Sequence, residues 1–203
     1  MKTTTMKKTL LGLAALLLVS LLGFNQEVKA QLGDNQAEAT AQIVQQIQIE
    51  RITSLEFGLL VPDETKSILV TGAPAGTPSV TSPTSAARFT ITKSGIPVTF
   101  TLALPSVLDG LASTPTEGET LALNFDDTAD GDNPNLGLVT DADGTNTYAF
   151  TPVDGASVDL ETEASAFDTL TTFDIVIGGT VVASDTQVAG NYRGVITLTV
   201  DYN

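Results

Sequence analysis

The 203-residue chain has no cysteine, no histidine and no tryptophan, and only nine basic residues. Each absence closes a class of chemistry. Without cysteine there is no disulfide framework and no lipid-anchored form of export, so stability must come from core burial and strand pairing. Without histidine there is no ordinary general base near neutral pH and no imidazole metal ligand. The Ser-His-Asp and Cys-His machineries are therefore ruled out. A carboxylate pair can still hydrolyse glycosides. Such clefts are normally lined with aromatics, however, and this chain has no tryptophan and three tyrosines. No enzymatic role and no cofactor are expected.

Long apolar runs are scarce as well. Leu10 to Leu22 covers 13 residues, whereas a spanning helix needs roughly 20. The run follows Lys2, Lys7 and Lys8, and it precedes Val28 and Ala30, so that VKA before Gln31 has the form of a signal-peptidase site. Residues 1–30 are expected to be a cleaved signal peptide. Residues 31–203 then form a single exported domain with no membrane span after cleavage.

Positive charge is scarcer still in the exported part. From Gln31 onward the basic residues are Arg51, Lys66, Arg88, Lys93 and Arg193, against 23 acidic ones, a formal net charge of −18. A surface this negative repels phosphate backbones and anionic membranes, so no nucleic-acid partner is expected. It also favours solubility.

What the chain does contain is period-two alternation between turn signals. AEATAQIVQQIQIERI (37–52) places Ala37, Ala39, Ala41 and Ile43 on alternate positions, then shifts phase through Val44, which predicts a bulge or a change of partner. Further strands are expected in LEFGLLV (55–61), SILVTG (67–72), ARFTITK (87–93), IPVTFTLAL (96–104), TLALNF (120–125), TYAFTPV (147–153), VDLE (158–161) and TFDIVIG (172–178). Ser94-Gly95 and Gly178-Gly179 have the composition of two-residue hairpin turns. Short strands at this density, with almost no helical periodicity, predict an all-β fold, an antiparallel immunoglobulin-like or pilin-like sandwich.

Two acidic loops invite a calcium test. DDTADGDNPNLG (126–137) offers Asp126, Asp130 and Gly131 at loop positions 1, 5 and 6, but Thr128 stands at position 3 and Gly137 at position 12. Asp126, Asp130 and Asp132 are thus weak metal candidates, and DADG (141–144) is a fragment of the same pattern. Ordinary Asx turns are the expected reading of both loops.

The chain ends on its cleanest alternation. Tyr192, Gly194, Ile196, Leu198, Val200 and Tyr202 share one face, and Arg193, Val195, Thr197, Thr199 and Asp201 the other. As one strand these eleven positions span roughly 35 Å.

The ending GGTVVASDTQVAGNYRGVITLTVDYN resembles the C-terminal signature of a family of exported bacterial domains of uncharacterised function. The matching positions are Gly178, Gly179, Thr180, Gln187, Ala189, Gly190, Tyr192, Gly194, Val200, Tyr202 and Asn203. The likeness extends weakly upstream through AEATAQI, LEFG and ARFTITKSGIPVTFTLALP, and the acidic insert between Asp126 and Asp143 departs from it. The same ending is similar to that of chaperone–usher pilins, with Gly190 fourteenth from the end and Tyr202 penultimate. That resemblance implies an incomplete sandwich completed by a neighbouring subunit's N-terminal strand, with a periplasmic chaperone as a candidate partner. Ala37, Ala39, Ala41 and Ile43, within residues 31–44, have the alternation a donor strand requires, although they are small, and the disulfide many pilins carry is absent.

Two functions follow as expectations. One is a non-enzymatic subunit of an extracellular filament, fimbria or surface layer, joined to itself or to other surface subunits by strand addition. The other is a monomeric exported module that binds a glycan, calcium or a surface protein.

Overall fold

The computed structural model describes residues 41–111, 120–125 and 136–203. The chain divides between Gln42 and Ile43, and the architecture below is that of residues 43–203.

The described residues are nearly all strand and loop, arranged as three antiparallel sheets consistent with a β-sandwich. The strands are β1 (Gln48–Thr53), β2 (Thr65–Ile68), β3 (Ala87–Thr92), β4 (Val98–Ala103), β5 (Val107–Gly110), β6 (Thr120–Asn124), β7 (Gly137–Thr140), β8 (Thr147–Phe150), β9 (Ser157–Asp159), β10 (Thr172–Ile177), β11 (Gly179–Val182), β12 (Tyr192–Arg193) and β13 (Thr197–Tyr202). The first sheet runs β1-β3-β10-β7-β8, the second β12-β5-β6-β11-β2 and the third β13-β4-β9. None of the described helices is long and apolar enough to cross a membrane.

Alternation positions the core. β3 buries Ala87, Phe89 and Ile91, β4 buries Val98, Phe100 and Leu102, and β13 buries Leu198 and Val200. Phe100 of the third sheet meets Phe150 of the first edge-on, with ring centroids 5.2 Å apart, which locks those layers together. The central strand β10 is buried on both faces. Its Asp174 is held there by an ion pair to Arg88 and a hydrogen bond from Thr90 Oγ1. A buried carboxylate needs such partners.

Neither expected hairpin forms at Ser94-Gly95 or Gly178-Gly179. β3 pairs with β1 and β10, while β4 pairs with β13 and β9, so Ser94-Gly95 carries the chain from one sheet to another. Both edges of β3 are already occupied, leaving no place for β4. Lys93, fully buried, closes this arch by donating from Nζ to the carbonyls of Ile96 (2.7 Å) and Asp168 (2.9 Å). Burial pushes the Lys93 amine below its ordinary range, and the nearby Asp168 charge opposes that shift. Likewise β10 and β11 belong to different sheets, and Gly178 is the crossing point. A Cβ there would stand 2.1 Å from the carbonyl oxygen of Ile68, so only glycine allows this approach.

Three further expectations are corrected. Residues 55–61 form no strand beyond a single bridge from Glu56 to Ser85. VDLE ends its strand at Asp159, whose side chain caps a four-residue helix, α1 (Leu160–Glu163), by accepting from the Glu161 amide. In residues 41–52 no alternating face is buried: Ala41 to Gln46 are exposed, β1 is exposed along its whole length, and Ile47 alone is half-buried against the core. The irregularity expected at Val44 falls instead between Arg51 and Thr53, where the register against β3 shifts by one residue.

Candidate functional site

The C-terminal alternation does not form one continuous strand. Two ladders, β13 against β4 and β12 against β5, run in succession along the segments 98–110 and 192–202. Between them residues 194–196 and 104–106 lie outside any strand. Pro105 has no amide to donate, which interrupts pairing. Gly194 lies so close to Pro105 and Leu108 that a Cβ would meet their side chains at 2.9 and 2.8 Å. The ribbon therefore bends from the second sheet into the third at this point. Among the described residues β13 is left as an edge strand of its sheet, and β1 is an edge strand of the first.

A cavity of about 610 Å³ opens at this bend. One wall is Arg51 and Thr53 of β1 with the loop 54–62, and the other is the segment 187–196. The floor is apolar: Ala87 and Phe89 come from β3, Leu108 from β5, and Leu121 and Leu123 from β6. Among the rim residues Leu59, Val61, Val188 and Val195 are exposed hydrophobics. Large apolar side chains left open in a concave surface mark a place where another group binds.

Side chains from elsewhere shape the first wall. Lys66 Nζ donates to the Leu59 carbonyl (2.5 Å), Ser82 Oγ accepts from the Leu59 amide (2.7 Å), and Glu64 Oε2 accepts from the Val61 amide (2.8 Å). These bonds replace the ladder that residues 55–61 would otherwise need, which is why the apolar run is loop. The other carboxylate oxygen of Glu64 accepts from the Ser79 amide at 3.0 Å. Burial raises the Glu64 pKa, but the amides of Val61 and Ser79, aided by Lys66, outweigh it and hold the carboxyl below its ordinary range.

The second wall is tied by its own motif. Gln187 Nε2 donates to the Tyr192 hydroxyl at 2.8 Å and to the Thr120 carbonyl at 3.3 Å, and the Tyr192 hydroxyl donates to the Val188 carbonyl. Gln187 and Tyr192 are thus the two ends of one clasp that shapes the loop 187–192.

The candidate residues of the C-terminal ending divide between two places. Gly190, Tyr192, Gly194 and Ile196 line the cavity, whereas Leu198 and Val200 are in the core. Tyr202 accepts from the Ser94 amide (2.8 Å) and donates to the Gln45 carbonyl (2.7 Å), joining the end of β13 to the approach to β1. Ala41 and Ile43 are exposed, Ile43 at 98%, while Ala37 and Ala39 lie outside the described residues. Asp126, Asp130 and Asp132 also lie outside them. In DADG the Asp141 carboxylate accepts from the amides of Thr145 and Asn146 and from the Asn146 side chain, an Asx-type turn between β7 and β8.

No protein family model, no curated protein and no solved structure matches this chain.

Proposed function

We propose that this protein is a non-enzymatic structural subunit of an extracellular filament, fimbria or surface layer, assembled by β-strand addition. The observation that carries this reading is the apolar cavity bounded by the edge strand β1 and the bend that leads into the edge strand β13. A sandwich with an open cleft beside an edge strand accepts an extended segment, whose backbone supplies hydrogen bonds while alternate side chains fill the floor. Residues 31–44 of a neighbouring subunit are the donor in this reading, after export and removal of residues 1–30, and a periplasmic chaperone covers the cleft before assembly.

Native material run without boiling is expected to show a ladder of oligomers, and a truncation starting near Val44 is expected to abolish it. Wild-type protein that stays monomeric under assembly conditions overturns the proposal. That outcome favours the second reading, a monomeric exported binding module, for which the cavity has the size of an ordinary ligand site.

A further inference from the structure

Positive charge is the rarest resource of this chain, and the fold spends it unevenly. Of the five basic residues after Gln31, Lys66 and Lys93 are buried and Arg88 is paired with Asp174. The remaining two, Arg51 and Arg193, are exposed, and neither makes a side-chain hydrogen bond or ion pair among the described residues. Both line the same cavity, one on each wall. Among the described residues the lining carries these two cations against a single anion, Glu56, and Asp109 stands opposite Arg193 in the β5–β12 ladder without closing an ion pair, in a chain with nine basic and 24 acidic residues. Local positive charge against so negative a background concentrates and orients an acidic partner.

We infer that the cavity is charge-selective, and that its occupant is the acidic N-terminal segment 31–44 of a second copy, set in register by Asp34 and Glu38 against Arg51 and Arg193. This rests on the strand-addition reading and adds to it the feature that selects the partner. Within QLGDNQAEATAQIV the only charged residues are Asp34 and Glu38. In an extended chain they share one face, roughly 14 Å apart, and Ala37, Ala39, Ala41 and Ile43 occupy the opposite face. Such a segment presents its apolar face to the floor and its carboxylates to the two rim arginines. A slip by one residue would exchange these faces.

The test uses a fluorescent peptide of residues 31–44 titrated into the purified exported chain, read by anisotropy. The native peptide is expected to bind saturably, and more weakly as salt screens the exposed charges. A peptide carrying Asp34→Lys and Glu38→Lys is expected to bind about tenfold more weakly, with the protein itself unaltered. The chain with Arg51→Glu and Arg193→Glu, checked for an unchanged melting curve, should reverse this preference. Equal binding of both peptides overturns the charge-selection inference. If an unboiled ladder still forms in that case, strand addition stands without it. Absence of both peptide binding and the ladder overturns the two together.

Discussion

The hydroxyl of Tyr202 donates to the main-chain carbonyl of Gln45, 157 residues earlier, and accepts from the amide of Ser94. One phenol thus ties the end of the last strand to the segment entering the first strand and to the arch between β3 and β4. Tyr202→Phe keeps the ring and loses both bonds, so denaturant unfolding should show a loss of about 1–2 kcal/mol. An unchanged midpoint would mean that the ring packs and the hydroxyl contributes nothing.

Leu198 sits in the core on the face that also holds Val200. Leu198→Asp places an unpaired carboxylate there, and the expected loss is about 3–5 kcal/mol or outright failure to fold. Thr199→Asp, one residue on and exposed, should change stability by no more than about 0.5 kcal/mol. Circular dichroism melts of the pair check the face directly.

Two glycines of the C-terminal ending make opposite predictions. Gly178→Ala forces a methyl against the Ile68 carbonyl and should cost about 3 kcal/mol, because backbone rather than a mobile side chain must yield. Gly190→Ala meets nothing within 4 Å and should be tolerated within about 0.5 kcal/mol. If the Gly190 variant instead loses assembly with its fold intact, that glycine acts at the interface.

Tyr192→Phe removes the hydroxyl that receives Gln187 and holds the Val188 carbonyl. The expected result is a stability loss of about 1 kcal/mol and faster amide exchange in residues 187–192 than elsewhere. Exchange that speeds up uniformly across the fold would mean that the clasp does not control the cavity wall.

Glu64 gives the loop 58–62 an acid limit. Its folded pKa lies below its ordinary value, so it binds fewer protons in the folded state. The stability it contributes is fully present above its unfolded pKa and is lost as pH falls through the lower folded value. Melting temperatures across the acidic range should therefore fall less steeply for Glu64→Gln than for the wild type. The same steepness in both would show that the carboxylate is not the group titrating.

The parts of the fold that were legible in the sequence are those set by local alternation. β3, β4, β6 and β13 lie within the runs whose apolar residues recur at every second position, and those residues are the buried ones; β10 lies within such a run too, but both of its faces are buried. Ser94-Gly95 and Gly178-Gly179 have the composition of hairpin turns yet form arches, because a short turn between two strands has the same composition in both. Residues 55–61 have the pattern of a strand yet form a loop, because main-chain groups of Leu59 and Val61 bond to the side chains of Glu64, Lys66 and Ser82, a relation that no period reveals. A signal was present even so: Glu64 and Lys66 bring two charges just after the apolar run, in a chain poor in cations.

From its residues alone the chain is all-β, strongly acidic, free of disulfides and without the histidine or cysteine on which common catalytic sites depend. The two faces of its final strand were also readable there, because period-two burial is a property of neighbouring residues. Only the tertiary structure decided that β13 pairs with β4, that the ribbon bends at Pro105 and Gly194, and that the bend opens a cavity beside β1. It alone brought Arg51 and Arg193, separated by most of the chain, to opposite walls of one cleft. Pairing and convergence depend on which edges other strands already occupy, and that competition is settled by contacts between distant parts of the chain.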